Sequence, residues 1–125
     1  MNLRACLVVL SLVVCTAVTA QETNPYTGTW KASWEGKRGN LQAKVTITDS
    51  GGTWKTATSS HQNPCAGVKA ELSVTNASPQ ELVFDIKFSE ALRGCRDVAV
   101  TLKPVDDRTL KGFRDSTVEL TLVRD

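Results

Sequence analysis

The chain predicts an all-β fold, an eight-stranded antiparallel up-and-down barrel, and three observations carry that reading. Apolar residues recur with a two-residue period in eight successive segments between Tyr26 and Leu122, as half-buried strands require. Gly-, Asp-, Asn- and Pro-rich turns separate the segments. No stretch repeats with helical period over a useful length; one turn from Ser89 to Arg93 is the most that fits. Eight short strands in sequence order close into a barrel that leaves no exposed sheet edge. A two-sheet β-sandwich is the alternative.

Residues 1–20 stand outside that pattern. Arg4 precedes an apolar run from Ala5 to Val14, and small residues end the segment at Val18-Thr19-Ala20. This is the grammar of a secretory signal peptide cleaved before Gln21. The run is shorter than the roughly 20 apolar residues of a membrane span, so none is expected. Leu12-Val13-Val14-Cys15 lacks the small residue that usually precedes a lipid-modified cysteine. The domains are therefore a signal peptide, 1–20, and a single small barrel, 21–125, expected to act as a monomer outside the cell or in the periplasm.

Cleavage lowers the formal net charge of +2 by one, too near neutrality for nucleic acid to be the main partner. It also removes Cys6 and Cys15. Cys65 and Cys95 remain, an even pair in an oxidising compartment, and a disulfide between them is expected.

The first strand, Tyr26 to about Glu35, places Tyr26, Gly28, Trp30, Ala32 and Trp34 on one face. Gly36-Lys37-Arg38-Gly39-Asn40 ends it. In the second, Leu41, Ala43, Val45 and Ile47 alternate with Gln42, Lys44, Thr46 and Thr48, and Asp49-Ser50-Gly51-Gly52 forms a hairpin turn. The third runs from Thr53 to about Ser59 with Trp54, Thr56 and Thr58 inward, and a longer loop from His61 to Gly67 carries Pro64 and Cys65.

The fourth turns Val68, Ala70, Leu72 and Val74 inward, and Asn76 to Gln80 reads as the following turn. Asn76-Ala77-Ser78 is formally a glycosylation sequon, but Pro79 follows it directly, and the segment has a sufficient role as a turn. The fifth has the cleanest alternation, with Leu82, Phe84, Ile86 and Phe88 inward. Ser89 to Asp97 is a second long loop, with Cys95 between Arg93 and Arg96. Val98, Val100 and Leu102 belong to the sixth strand, which reaches Pro104 before a turn at Val105-Asp106-Asp107. Leu110, Gly112 and Arg114 belong to the seventh, and Val118, Leu120 and Leu122 to the eighth.

In a meander, the loops after strands one, three, five and seven emerge at one end. Both mature cysteines lie in such loops, so the disulfide and the topology support each other. That rim holds the longer loops and Lys37, Arg38, His61, Arg93, Arg96 and Arg114; the opposite rim holds short, acidic turns. Ala43, Thr58, Ala70 and Gly112 are small and near the long-loop rim, whereas Trp30, Trp54, Leu72, Phe84, Leu102 and Leu110 lie deeper. A barrel of eight strands is just wide enough to be filled by side chains or to hold one small ligand. Any pocket is thus shallow and opens under Trp34 and Phe88.

Gly28-Thr29-Trp30 resembles the Gly-x-Trp opening of lipocalins and avidins, the calycin barrels. In those families an arginine or lysine of the last strand covers that tryptophan at the closed end, which implies that Arg124 covers Trp30. The avidin continuation Gly-x-Trp-x-Asn-x-x-Gly-Ser is not met, since Ala32 and Gly36 stand where the asparagine and serine would be, and biotin binding is not implied.

Catalytic chemistry finds little support. His61 is the only histidine, and Ser59 and Ser60 beside it lack an oxyanion-hole pattern. Asp106 and Asp107 are turn formers, and a metal site on His61 has no second histidine and no ligand spacing. The expectation is a non-enzymatic protein with no metal and no cofactor. It binds a protein partner, an inhibitor of a foreign enzyme being one form, through Trp34, Lys37, Arg38, His61, Phe88, Arg93, Arg96 and Arg114. The alternative is a carrier of a small, partly apolar ligand in the pocket at the same end. Three tryptophans and three phenylalanines in so short a chain favour a filled interior and hence the protein-binding reading.

Overall fold

The computed structural model describes residues 24–37, 39–57 and 64–125; the signal segment, Arg38 and His61 lie outside them. Eight strands, β1 (Gly28–Gly36), β2 (Gly39–Ile47), β3 (Gly51–Ala57), β4 (Ala70–Ser78), β5 (Glu81–Ile86), β6 (Val98–Asp106), β7 (Thr109–Arg114) and β8 (Val118–Arg124), are joined in order. Each pairs antiparallel with its neighbour, and β8 returns to β1 to close the barrel. The barrel, rather than the sandwich, is the fold.

The two-residue period decides which side chains go inside. On β2, Ala43, Val45 and Ile47 are buried while Gln42 and Lys44 are exposed; on β5, Leu82, Phe84 and Ile86 are buried. The interior is filled through its middle and floor by Trp30, Trp54, Phe84, Leu102, Leu110 and Leu122. Trp54 is the pivot of the packing, with its ring 5.6 Å from that of Trp34 and 6.4 Å from that of Phe84. Each such side chain contributes roughly 1.5–3 kcal/mol when fully buried.

The closed end is built by the segment just before β1, residues 24–27. Asn24 is buried and donates through its side chain to the Thr48 carbonyl, while its Oδ1 accepts the Tyr26 N–H at 2.8 Å. Tyr26 is thereby folded across the floor instead of extending β1, and its hydroxyl donates to the Ser78 carbonyl. Trp30 Nε1 donates to the Tyr26 carbonyl at 2.8 Å. Arg124, in register with Trp30, lies over its ring and donates to the carbonyls of Thr27 and Pro25. This is the arrangement that the Gly-x-Trp resemblance implied. Gly28 permits it: its φ is +138°, and a Cβ there would stand 3.0 Å from Arg124 Nη1.

Two turns are tighter than the sequence suggests. β4 continues to Ser78 past a bulge between Val74 and Asn76, so Asn76 is an exposed strand residue opposite Val83 and the turn is Pro79-Gln80. The bulge absorbs the extra residue, and Ser78 Oγ accepts the Glu81 N–H to close the hairpin. β6 likewise runs on to Asp106 through a bulge beyond Pro104, a site at which a residue without an N–H is tolerated. Asp106 Oδ1 then accepts the Arg108 N–H at 2.8 Å and turns the chain.

After β5 the chain forms one helical turn, α1 (Phe88–Ala91), so Phe88 is buried from a helix rather than from the strand expected. Ser89 fixes the turn, because its N–H and hydroxyl both donate to Asp97 Oδ1. Cys65 and Cys95 are joined, with Cα atoms 5.6 Å apart. Such a bond is maintained in an oxidising compartment. Among the described residues no helix is long and apolar enough to cross a membrane.

Candidate functional site

The long-loop rim has a cleft of about 500 Å³. Its floor is Thr56, whose Oγ1 accepts the Trp54 Nε1 proton at 3.0 Å, so the one polar group there is satisfied. Trp34 and Leu41 come from the adjoining ends of β1 and β2, which pair Trp34 directly with Leu41. Phe88 enters from α1 and Val98 from the start of β6. The disulfide is itself part of the wall, flanked by Ala66, Gly94 and Arg96. The bond ties the loop after β3 to the loop after α1, so the two halves of the rim hold a fixed distance.

The polar feature of this cleft is Arg114, at the end of β7. Its guanidinium carbon lies 5.0 Å from the Trp34 ring centroid. Burial lowers its pKa from the usual arginine value, with the nearby Asp115 carboxylate opposing the shift; the group stays charged at any physiological pH. Asp115 does not neutralise it at contact distance. That carboxylate accepts the Ala99 N–H at 3.2 Å and is held by a left-handed backbone, φ 49°. Among the described residues the ion pair present is Lys87 with Asp97 at 3.6 Å. Arg114 is therefore a half-buried cation that lies over an indole ring and lines the cleft.

Of the residues expected at this end, Trp34, Phe88, Arg96 and Arg114 are brought together around the cleft. Lys37 and Arg93 are exposed on the same rim but do not line it. Arg38 and His61 fall outside the described residues. Leu41, Thr56, Val98, Ala66 and Gly94 also line the cleft, beyond the residues that the sequence pattern assigns to it. The first three were legible as inward positions next to the rim, whereas Ala66 and Gly94 reach the cleft only because the disulfide draws their loops together.

Asp97 braces the rim from outside the cleft. Its carboxyl is held below the ordinary aspartate value, first by the Ser89 hydroxyl, then by the Ser89 N–H and the charge of Lys87. Among the described residues no group of three or more His, Cys, Asp or Glu side chains is placed to hold a metal ion. In comparisons with known proteins, no family model matches the chain, and neither curated proteins nor solved structures return a match.

Proposed function

We propose that this is a non-enzymatic binding module, secreted or periplasmic after loss of residues 1–20, that presents its disulfide-braced rim to a protein partner. The cleft receives from that partner a side chain with an apolar stem and a carboxylate end. The observation that carries the reading is Arg114, which lies over the Trp34 ring at 5.0 Å and has, among the described residues, no carboxylate at ion-pair distance. A desolvated guanidinium gains most from a planar anion that takes two of its donors. Arg96 at the wall and the exposed Arg93 and Lys37 nearby give the rim the sign that an acidic partner surface complements.

The carrier reading is favoured by one observation, the volume of about 500 Å³, which falls in the range of small-ligand sites. Coverage argues for the protein partner. Small-molecule sites bury most of their ligand, but this cleft opens to solvent at the rim and ends at the buried Thr56, which is bonded to Trp54. A side chain projecting from a protein surface is covered on its open side by that protein.

The test is affinity capture with the wild-type rim, compared with Arg114→Gln and Arg96→Glu. Recovery of a protein that both variants lose supports the proposal. Native mass spectrometry showing instead a co-purifying small organic anion, released by Trp34→Ala, would overturn it in favour of the carrier.

A further inference from the structure

The outer wall carries a feature independent of the rim. Register places Lys31 of β1 directly opposite Lys44 of β2, and Lys44 directly opposite Lys55 of β3. Lys69, one residue before β4, continues the register that pairs Thr53 with Glu71 and Trp54 with Ala70. All four are exposed. Since adjacent strands lie about 4.8 Å apart, this is a transverse row with one positive charge per strand.

Like charges directly opposite on neighbouring strands disfavour pairing, so the row costs the barrel stability. Among the described residues no carboxylate lies within ion-pair distance of any of the four; the Lys55 ammonium donates to the Gly67 carbonyl. In register terms the nearest acids are Glu71, diagonal to Lys55 and two residues from Lys69 on the same face, and Asp125, diagonal to Lys31. Asp125 flanks the Lys31 end, where a shallow groove of about 190 Å³ is bordered by Lys31, Gln42, Lys44, Ala57 and Asp125. Thr46 and Thr53 run along the other side of the row.

We propose that this row is a track for a linear anionic polysaccharide, carboxylated or sulfated. Its charges repeat along one line at a spacing on the scale of a sugar ring, and amide and hydroxyl side chains flank it where sugar hydroxyls would lie. β1, β2 and β3 turn no aromatic side chain outward, so there is no platform on which nucleic-acid bases stack. Their outer face also lacks the large apolar side chains that anchor a protein in a lipid interface. Val123, opposite Lys31 at the edge of the row, is the one exposed large hydrophobic beside it.

The experiment measures wild-type binding to immobilised heparin and to polygalacturonate against salt, beside K31Q/K44Q and the control K103Q/K111Q. The control removes two lysines that face each other on β6 and β7, so net charge changes equally. Binding of the wild type at about 50 mM salt, a loss of at least about tenfold and a fall of about two in the log–log salt slope for K31Q/K44Q, with K103Q/K111Q unchanged, are the expected results. K44Q alone, expected to lower the slope by about one, serves if the double variant fails to fold. No retention of the wild type, equal losses in both double variants, or tighter binding to anionic phospholipid vesicles or oligothymidylate would overturn the proposal. None of these outcomes bears on the rim, whose variants are different residues.

Discussion

The guanidinium carbon of Arg124 lies 4.3 Å from the centroid of the Trp30 ring, and the same side chain donates to the Thr27 and Pro25 carbonyls at 3.0 and 3.2 Å. Cation–π attraction contributes roughly 0.5–2 kcal/mol and each hydrogen bond to a charged donor adds to it. Arg124→Ala is expected to cost about 2–3 kcal/mol. Thermal unfolding should show a lower Tm by about 8 °C or more, against almost no change for the exposed Arg93→Ala.

Gly28→Ala tests the same corner from the other side. The substitution forces an L side chain to φ +138° with its Cβ 3.0 Å from Arg124 Nη1. The backbone penalty alone is about 1–3 kcal/mol. Denaturant titration should give a lower midpoint with the slope unchanged, and combining Gly28→Ala with Arg124→Ala should cost less than the sum of the two.

The Thr56 hydroxyl is the acceptor for Trp54 Nε1 in the floor of the cleft. Thr56→Val keeps the shape and leaves a buried donor unmet, which costs about 1–3 kcal/mol. Thr56→Ser retains the acceptor and is expected to lose less. The order of the two melting temperatures decides whether the hydroxyl or the methyl group matters more.

Loss of the Cys65–Cys95 bond, which spans 30 residues, removes about 3–4 kcal/mol in the chain-entropy account. Cys65→Ser/Cys95→Ser should lower the denaturant midpoint accordingly. Non-reducing peptide mapping of the wild type should recover the two loops as one linked species.

Asp97 sets an acid-side dependence. Its folded pKa lies below the ordinary aspartate value, chiefly through the Ser89 hydroxyl and N–H. The unfolded chain therefore binds the proton more readily. The stabilisation is present above about pH 3.9 and is lost as pH falls through the lower folded value. The Tm difference between wild type and Asp97→Asn should be largest above that pH and shrink towards pH 2.

Strand pattern made most of the barrel legible, because on β1, β2 and β5 the alternation that buries Trp30, Val45 and Phe84 is written one residue in two. The pairing of Cys65 with Cys95 followed from loops that emerge at one end. What stayed hidden is what depends on single side-chain hydrogen bonds. Asn24 reads as a solvated residue, yet its amide becomes the hinge that folds Tyr26 across the floor. Bulges after Val74 and Pro104 moved two turns, since periodicity alone carries no sign of an added residue. In the cleft, Trp34, Phe88 and Arg114 were foreseen as rim neighbours. The stacking of Arg114 on Trp34, and the lysine row across β1–β3, needed the register between strands, which no single strand displays.

Closure through Trp30 and Arg124 also governs the order of assembly. Arg124 bonds Pro25 across 99 positions of sequence, so the contact that seals the floor joins segments almost a full chain apart. Contacts so remote form late and slow folding. A polypeptide made from its N-terminus holds one edge of β1 unpaired until β8 has been delivered. The finished barrel has no sheet edge, but its precursor has one at β1 until that pairing forms.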